Sequence, residues 1–457
     1  MRQTTRLALS LGLVLAAPLA FGSDLLEVYQ RALQSDPQIR EAEATRLATL
    51  ESKPQALAGL LPTLNGTGSY TSRDQQGQSS TLAVVGGVPV VGTTKQTIDA
   101  TIKQYQIQLV QPLFRWDRWV ALRRADEQVA QAEADFHAAE QNLVFRVSQR
   151  YFNVLSAKDQ LEATEGALAA VSRQLEQAEQ RYEVGLIAIT DVQESRAAAD
   201  QARAAVIAAK RTLSTNQELL RELTGEMFTT LAAPGEDMPL NSPSPASEEQ
   251  WVAAAMEQNL ALISSRLSLD IAKEAISTAR TGHYPTLDLV GTRFNNVQNA
   301  DQVNNGNPSP ANTDVTQDSI ALQVTVPFYS GGAVSSRVRE QVYRHRAARE
   351  RLERTARETE RAARDAYLGV NSNISRVQAL RQAVESSRTA LRASEAGFEV
   401  GTRTTVDVLD AQRRLLDAET NYARSKYDYI IGIIQLKQAA GTLSRDDLAE
   451  INGWLRE

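Results

Sequence analysis

The sequence predicts an α+β membrane protein: a long α-helical coiled-coil barrel continuous with a transmembrane β-barrel, four strands per chain, written as two internal repeats. Three observations lead there. Tyr182-Glu183-Val184-Gly185, followed by Thr190-Asp191-Val192, returns as Phe398-Glu399-Val400-Gly401, followed by Val406-Asp407-Val408; Gly185 to Gly401 and Asp191 to Asp407 are each 216 positions apart. Apolar residues keep a seven-residue step through long stretches without proline, the mark of a coiled-coil seam. Two segments rich in Gly, Ser, Thr and β-branched residues are bounded by prolines, and beyond the N-terminal leader no run reaches the roughly 18 apolar residues of a spanning helix, so only strands could cross a bilayer.

Taken in order, Arg2 and Arg6 precede an apolar run from Leu7 to Ala20, and Ala20-Phe21-Gly22 has small residues at the two cleavage-determining places. Residues 1–22 therefore read as a secretory signal peptide cut after Gly22. From Asp24 the spacing of Leu25, Leu26, Val28, Tyr29, Ala32 and Leu33 is helical, continuing alanine-rich until Leu61-Pro62 stops it. Thr63 to Gln111 reads as a β-hairpin with a long loop, because Tyr105, Ile107 and Leu109 alternate and an apolar, glycine-broken piece, Ala83 to Gly92, lies between the halves.

The helical pattern resumes at Pro112-Leu113-Phe114 and runs to Gly185, with Val147, Val154, Leu161, Leu168, Leu175 and Tyr182 at steps of seven. Val192, Ala199, Val206, Leu213 and Leu220 repeat the step in a returning helix that Gly225 ends. This first repeat, 23–225, gives way to a linker, 226–247, that holds Pro234, Pro239, Pro243 and Pro245.

The second repeat, 248–441, follows the same plan. A helix runs from about Glu248 to His283; Tyr284-Pro285-Thr286-Leu287 echoes Leu61-Pro62-Thr63-Leu64; a hairpin with a polar loop, Asn295 to Thr316, ends in the alternation Ile320, Leu322, Val324, Val326. Its long helix carries Val370, Val377, Val384, Leu391 and Phe398, and the returning one Val408, Leu415, Tyr422, Tyr429 and Leu436 up to Gly441, before a C-terminal segment, 442–457.

Each uninterrupted helix of roughly 66 to 70 residues is about 100 Å long, and the two shorter helices of each repeat match it end to end. The hairpins fall at one end of such a rod and the glycine tips at the other. Four strands are too few for a barrel, since small barrels start at about eight, so oligomerisation is implied: a dimer gives eight, a trimer twelve. Strict seven-residue repeats favour left-handed supercoiling into a helical tube.

Composition narrows the function. The chain has 457 residues and no cysteine, which removes disulfides, thiolate metal sites and cysteine nucleophiles. His137, His283 and His345 stand apart from any ligand-spaced cluster, so neither metal nor cofactor chemistry is expected, and no catalytic constellation emerges. A formal charge of -6 argues against nucleic acid as a partner.

The residues also carry a resemblance that covers nearly the whole mature chain. Tyr151-Phe152-Asn153-Val154-Leu155, Val184-Gly185-Leu186 with Ala188-Ile189-Thr190-Asp191-Val192-Gln193, the run His283 to Asp288, and Val400-Gly401-Thr402-Arg403-Thr404 with Val406 to Asp410 resemble the TolC family of bacterial outer-membrane channel-tunnels. The resemblance implies a homotrimer with a twelve-stranded barrel in outer-membrane lipid and a helical tunnel across the periplasm. It further implies docking to a periplasmic adaptor and to an inner-membrane ABC or RND-type transporter, for export of drugs or secreted polypeptides.

At the tips, Thr190, Asp191, Thr404, Thr405 and Asp407 are explained by helix capping and first-turn acidity. Asp410 lies a turn further in. Asp407 and Asp410 share one helix face, and a three-fold axis would gather them into two carboxylate rings that a cation or protonation would relieve. The resemblance assigns Asp407 and Asp410 to the constriction at the periplasmic entrance. It implies closing links between Arg403, Thr190 and Asp191 and between Gln174 and Glu395; Phe398 stands where the family has a tyrosine and cannot donate to Asp191. Gly185 and Gly401 make the tip turns, and Arg403, opposite Ile187 in the repeat, distinguishes the second tip.

Tyr70, Tyr105, Tyr284 and Phe328 read equally as bilayer-interface anchors or as core. Arg344 to Arg364 reads as a solvated helix face. Two rivals stay open: an outer-membrane component dedicated to type I protein secretion, and a soluble periplasmic coiled-coil scaffold.

Overall fold

The computed structural model describes residues 23–235 and 238–456; the expected signal peptide, residues 1–22, lies outside the described residues. In chain order the helices are α1 (Leu25–Ser35), α2 (Pro37–Leu50), α3 (Ser52–Ala58), α4 (Trp116–Glu183), α5 (Ile189–Thr224), α6 (Glu248–Gln258), α7 (Leu260–Arg280), α8 (Ala333–Glu399), α9 (Thr405–Ala440) and α10 (Arg445–Asn452). The strands are β1 (Thr63–Val85), β2 (Val88–Phe114), β3 (Ala233–Pro234), β4 (Thr286–Asn304), β5 (Asn307–Pro308), β6 (Ala311–Thr325) and β7 (Leu455–Arg456). Two compact units form, and each draws on both repeats: the first holds residues up to Ala44, Ala134–Ile263 and Arg354 onward, the second Thr45–Glu133 and Ser264–Glu353.

The first unit is helical, and its core surrounds Tyr151 and Phe152 of α4, with Leu25 and Val28 of α1, Leu220 of α5, and Ile430, Ile434 and Leu436 of α9. Each large apolar side chain removed from water there contributes about 1.5 to 3 kcal/mol. Tyr151 keeps its hydroxyl satisfied by donating to Ala232 O at 2.7 Å, which ties the segment between the repeats to the core. The same segment pairs β3 with β7, so the C-terminal residues close a small two-stranded sheet over the linker.

The first helix is not continuous as the sequence reading has it. It breaks at Asp36, as the second repeat's counterpart breaks at Asn259, and both residues have the same extended backbone, φ -65°, ψ 120° and φ -63°, ψ 120°. Each ends one helix by donating its N–H to an alanine carbonyl, Ala32 or Ala255, and starts the next by accepting from the backbone N–H three residues on, Ile39 or Leu262. Short Asx side chains compete with the helix for backbone hydrogen bonds, and that competition decides the break. Asp36 is also paired with Arg146 of α4 at 2.5 Å.

The long hairpins zip antiparallel as expected. Glu165 meets Lys210 at 3.1 Å and Glu179 meets Arg196 at 2.8 Å between α4 and α5, while Glu419 meets Arg388 at 3.2 Å between α8 and α9. These exposed pairs contribute at most about 1 kcal/mol each, and apolar burial sets the register. On α5, α8 and α9 the predicted lines are buried at Val192, Ala199, Val206, Val370, Val377, Val384, Val408 and Tyr429. On α4 the line shifts. Val147 and Val154 are buried, but further along the buried line is Ala157, Thr164, Val171 and Ala178, whereas Leu161, Leu168 and Leu175 are half-buried and Tyr182 is exposed.

Phe152 stacks on Tyr427, whose hydroxyl donates to Asp159 at 2.6 Å. Burial pushes the Asp159 carboxyl above its usual range, and the Tyr427 hydrogen bond only partly opposes this. A raised folded-state value gives a stability contribution that is fully present below the unfolded value of about 3.9 and lost as pH rises through the folded one. Asp159→Asn is therefore expected to raise the thermal midpoint at pH 7, and thermal melts should show the advantage shrinking as pH falls through the raised folded-state value and gone below about pH 4.

The second unit contains one antiparallel sheet in the order β1-β2-β4-β6, with β5 a short strand beside the end of β4. Its strands are longer than the sequence reading has them. Val85 and Val88 flank a two-residue turn at Gly86-Gly87, with φ 62° and 84°, so the expected long loop from Ala83 to Gly92 is strand and tight turn. The expected polar loop from Asn295 to Thr316 is also mostly strand, turning at Asn305-Gly306 with φ 50° and 85°. Asn-Gly and Gly-Gly suit the left-handed backbone of a two-residue hairpin turn, and polar strands are stable once their backbone groups pair. Strand β2 likewise runs through Phe114, and the helix that was expected to resume at Pro112 starts at Trp116.

Candidate functional site

At the second tip, α8 ends at Glu399 and Gly401 turns the chain at φ 79°. Thr404 then caps α9: Asp407 N donates to Thr404 Oγ1 at 3.3 Å, and Thr404 N donates to Asp407 Oδ2 at 2.8 Å. These Thr404 bonds, with a smaller pull from Arg403, hold the Asp407 carboxyl below the usual aspartate range. The cap is thus present above the unfolded aspartate value and is lost only as pH falls through the lowered one. The first tip turns at Gly185, φ 78°, and Asp191 Oδ2 accepts from Ala188 N at 3.3 Å to start α5.

Within the chain, Arg403 pairs with Asp407 at 3.8 Å and Arg413 with Asp410 at 3.5 Å. Each aspartate of the predicted rings therefore has an arginine partner in its own chain, Arg403 from the tip turn and Arg413 from α9. Among the described residues Arg403 has no bond to Thr190 or Asp191, and Gln174 none to Glu395; Glu395 and Thr190 are exposed. Gln174 is 8% exposed, and neither its amide nitrogen nor its oxygen has a partner. Phe398, which cannot donate to Asp191, instead lies under the Arg181 guanidinium, 4.8 Å from ring centroid to Cζ. Sequence reasoning missed this contact. Its signal was a cation one residue before Tyr182, the first-tip counterpart of Phe398.

The sheet inverts the usual pattern of a water-soluble protein. Register places Leu64, Leu109, Gly291 and Ile320 in one row and Gln111, Leu289 and Leu322 in a neighbouring one. Tyr105, Ile107 and Leu109 on that face are exposed, whereas Gln106 and Gln108 between them are half-buried. The opposite face carries Asn65, Gln108, Thr292 and Ser319 in one row and Ser69, Gln104 and Asn296 in another. An apolar face outward, with a polar face half-buried at Gln108, Thr292 and Asn296 where β2 meets β4, is the alternation of a membrane barrel. One exposed ion pair, Arg293 with Asp318 at 3.8 Å, interrupts the apolar rows. Strands β1 and β6 are both open edges, and Ile320 on β6 is 84% exposed. Tyr70, Tyr105, Tyr284 and Phe328 are exposed, which removes the core reading for them in the single chain. Among the described residues no helix is long and apolar enough to cross a membrane, and no cluster of His, Asp and Glu is arranged to hold a metal ion.

A family model described as outer membrane efflux protein matches residues 28–226 and 251–442, which contain both tips and all four long strands. The chain belongs to the outer membrane efflux protein family. Outer membrane protein TolC of Vibrio cholerae is 36% identical over 461 residues, covering 100% of this chain and 99% of the relative. Alkaline protease secretion protein AprF of Pseudomonas aeruginosa is 28% identical, covering 94% of this chain and 86% of the relative. The crystal structure of the Campylobacter jejuni CmeC outer membrane channel shares the fold, with a TM-score of 0.73 at 17% identity over 95% of this chain and 89% of that one. As a family member the chain is an outer-membrane exit duct for efflux or secretion, with a helical tunnel extending into the periplasm, and not an enzyme.

Proposed function

We propose that three copies of this chain form the duct, with a twelve-stranded barrel in outer-membrane lipid and the glycine tips at the periplasmic entrance. The observation that supports it is the four-stranded sheet with an apolar outward face and two open edges, which cannot close alone and closes at twelve strands with three copies. The half-open line Leu161, Leu168, Leu175 and Tyr182 supports the same reading, because a helix in a closed tube has two neighbours and needs a second seam. In this reading the repeats, 23–225 and 248–441, are joined by the 226–247 linker and followed by the 442–457 segment, and both tips meet a periplasmic adaptor and an inner-membrane transporter. Substrates are drugs or polypeptides; the likeness to AprF favours, as a second reading, an exit dedicated to one protein-secretion system.

At the entrance, Asp407 and Asp410 line the constriction. Asp407 is committed to the α9 cap and Arg403, whereas Asp410 has Arg413 beside it at 3.5 Å and takes no part in a cap. Gln174, whose buried amide has no partner, supports a closing link with Glu395 as its intended acceptor, and Arg403, Thr190 and Asp191 contribute to the same closure. Asp407→Ala with Asp410→Ala is expected to lower cation selectivity and to raise severalfold the divalent concentration that blocks conductance in planar bilayers. Unchanged selectivity and block would remove both from the entrance. Native mass measurement of the detergent-solubilised protein reads the trimer directly.

A further inference from the structure

The β1–β2 hairpin outruns the rest of its sheet. Pairing of β2 with β4 ends at Gln96 opposite Asn304, so residues 78–85 and 88–95 continue as a two-stranded ribbon with no third strand. From Gln75 to Thr94 the chain carries no charge. The ribbon's base is polar, Gln78 to Thr81 against Gly92 to Lys95, but toward the turn both faces are apolar: Leu82 shares one with Val91, Val84 and Pro89, and Val88 and Val90 lie on the other. Leu82, Val84, Val88 and Val91 are each more than 60% exposed. A two-stranded ribbon is marginal in water, and one with apolar faces and open edges invites a partner.

Polar rows separate the ribbon from the membrane-facing band, Arg73 lying opposite Ala100 and Asp74 opposite Asp99, which argues against lipid as the cover. A second copy is within reach. Eight residues of strand extend about 26 Å, whereas twelve strands spaced about 4.8 Å and tilted about 40° enclose a radius of roughly 12 Å. Gly77, opposite Gln96 at the ribbon's base, has open space where a Cβ would stand and supplies a place for the strand to bend. We propose that in the assembled trimer the three ribbons fold across the outer mouth and pack on one another, closing the duct with an uncharged apolar plug. The inference rests on the trimer reading above.

The cysteine-free chain makes the test direct. In Val88→Cys, oxidation with copper–phenanthroline is expected to convert up to about two thirds of the chains to covalent dimers, since three thiols at a three-fold axis form one disulfide. Most of the conductance should be lost with it and return on addition of dithiothreitol. Ser72→Cys, placed before the bend, should remain monomeric. The proposal is overturned if Val88→Cys stays monomeric and reacts with a water-soluble maleimide while native mass shows a trimer. It is also overturned if the thiol is shielded only in vesicles containing lipopolysaccharide, which would make lipid the cover. If native mass shows no trimer, the reading beneath it fails as well.

Discussion

Gly441→Ala is expected to destabilise the fold by about 3 kcal/mol or more, against about 1 kcal/mol for Gly225→Ala. Both glycines end a returning helix in the left-handed conformation, at φ 78° and φ 75°, so both variants bear the conformational cost of a Cβ there. They differ in what the Cβ meets. At Gly225 the nearest atoms belong to the Ser35 side chain at 3.5 and 3.6 Å, ordinary contact. At Gly441 it would overlap the Gln258 carbonyl oxygen and stand 2.5 Å from the Gln258 carbonyl carbon and 2.8 Å from Asn259 Cα. Those atoms are backbone at the α6–α7 break, held by the Asn259 amide donating to Ala439 O at 3.0 Å, and Gln141 reaches Gly441 O at 3.0 Å from α4. Nothing there is the free end of a side chain, so the helices must part. Urea unfolding of the two variants measures the difference, and equal losses would refute the role of close packing.

Ile320→Arg is expected to block outer-membrane assembly, while Ser319→Arg is tolerated. Neighbouring residues on β6 point to opposite faces. Ile320 shares a row with Gly291, Leu109 and Leu64, and Ser319 shares one with Thr292, Gln108 and Asn65. An arginine on the lipid face costs about 2 to 4 kcal/mol near the bilayer centre, and a trimer would bear it three times. On the polar face the same charge meets water. Membrane fractionation and refolding into lipid vesicles measure both. Normal insertion of Ile320→Arg would place that row outside the hydrocarbon.

The long helices were legible because their signal is periodic and local. Val192, Ala199 and Val206 are buried at the predicted steps, and Gly225 and Gly441 end their helices as a C-terminal glycine should. The break at Asp36 was less visible, although Pro37 follows it, because the alanine-rich pattern continues on both sides. Strand lengths were misjudged for a different reason. The run Asn295 to Thr316 is polar, and composition alone cannot tell a polar loop from a polar strand whose backbone is paired. The tips turn at Gly185 and Gly401 and restart with caps that local sequence signals, but the pairing of Arg403 with Asp407, of Arg413 with Asp410, and of Arg181 with Phe398 depends on side-chain geometry.

The stretch around Gly401 and Asp407 shows where the division lies. By itself the sequence determined the duplicated plan, the helical hairpins with glycine tips, and the presence of strands where no helix can span a bilayer, since each follows from spacing along the chain. Only the tertiary structure decided which face of the sheet is apolar and outward, which apolar line on α4 stays open, and that Asp407 is spent on its own helix cap. The physical reason is that periodicity specifies a face without specifying its partner, and the partner is fixed by register and packing in three dimensions.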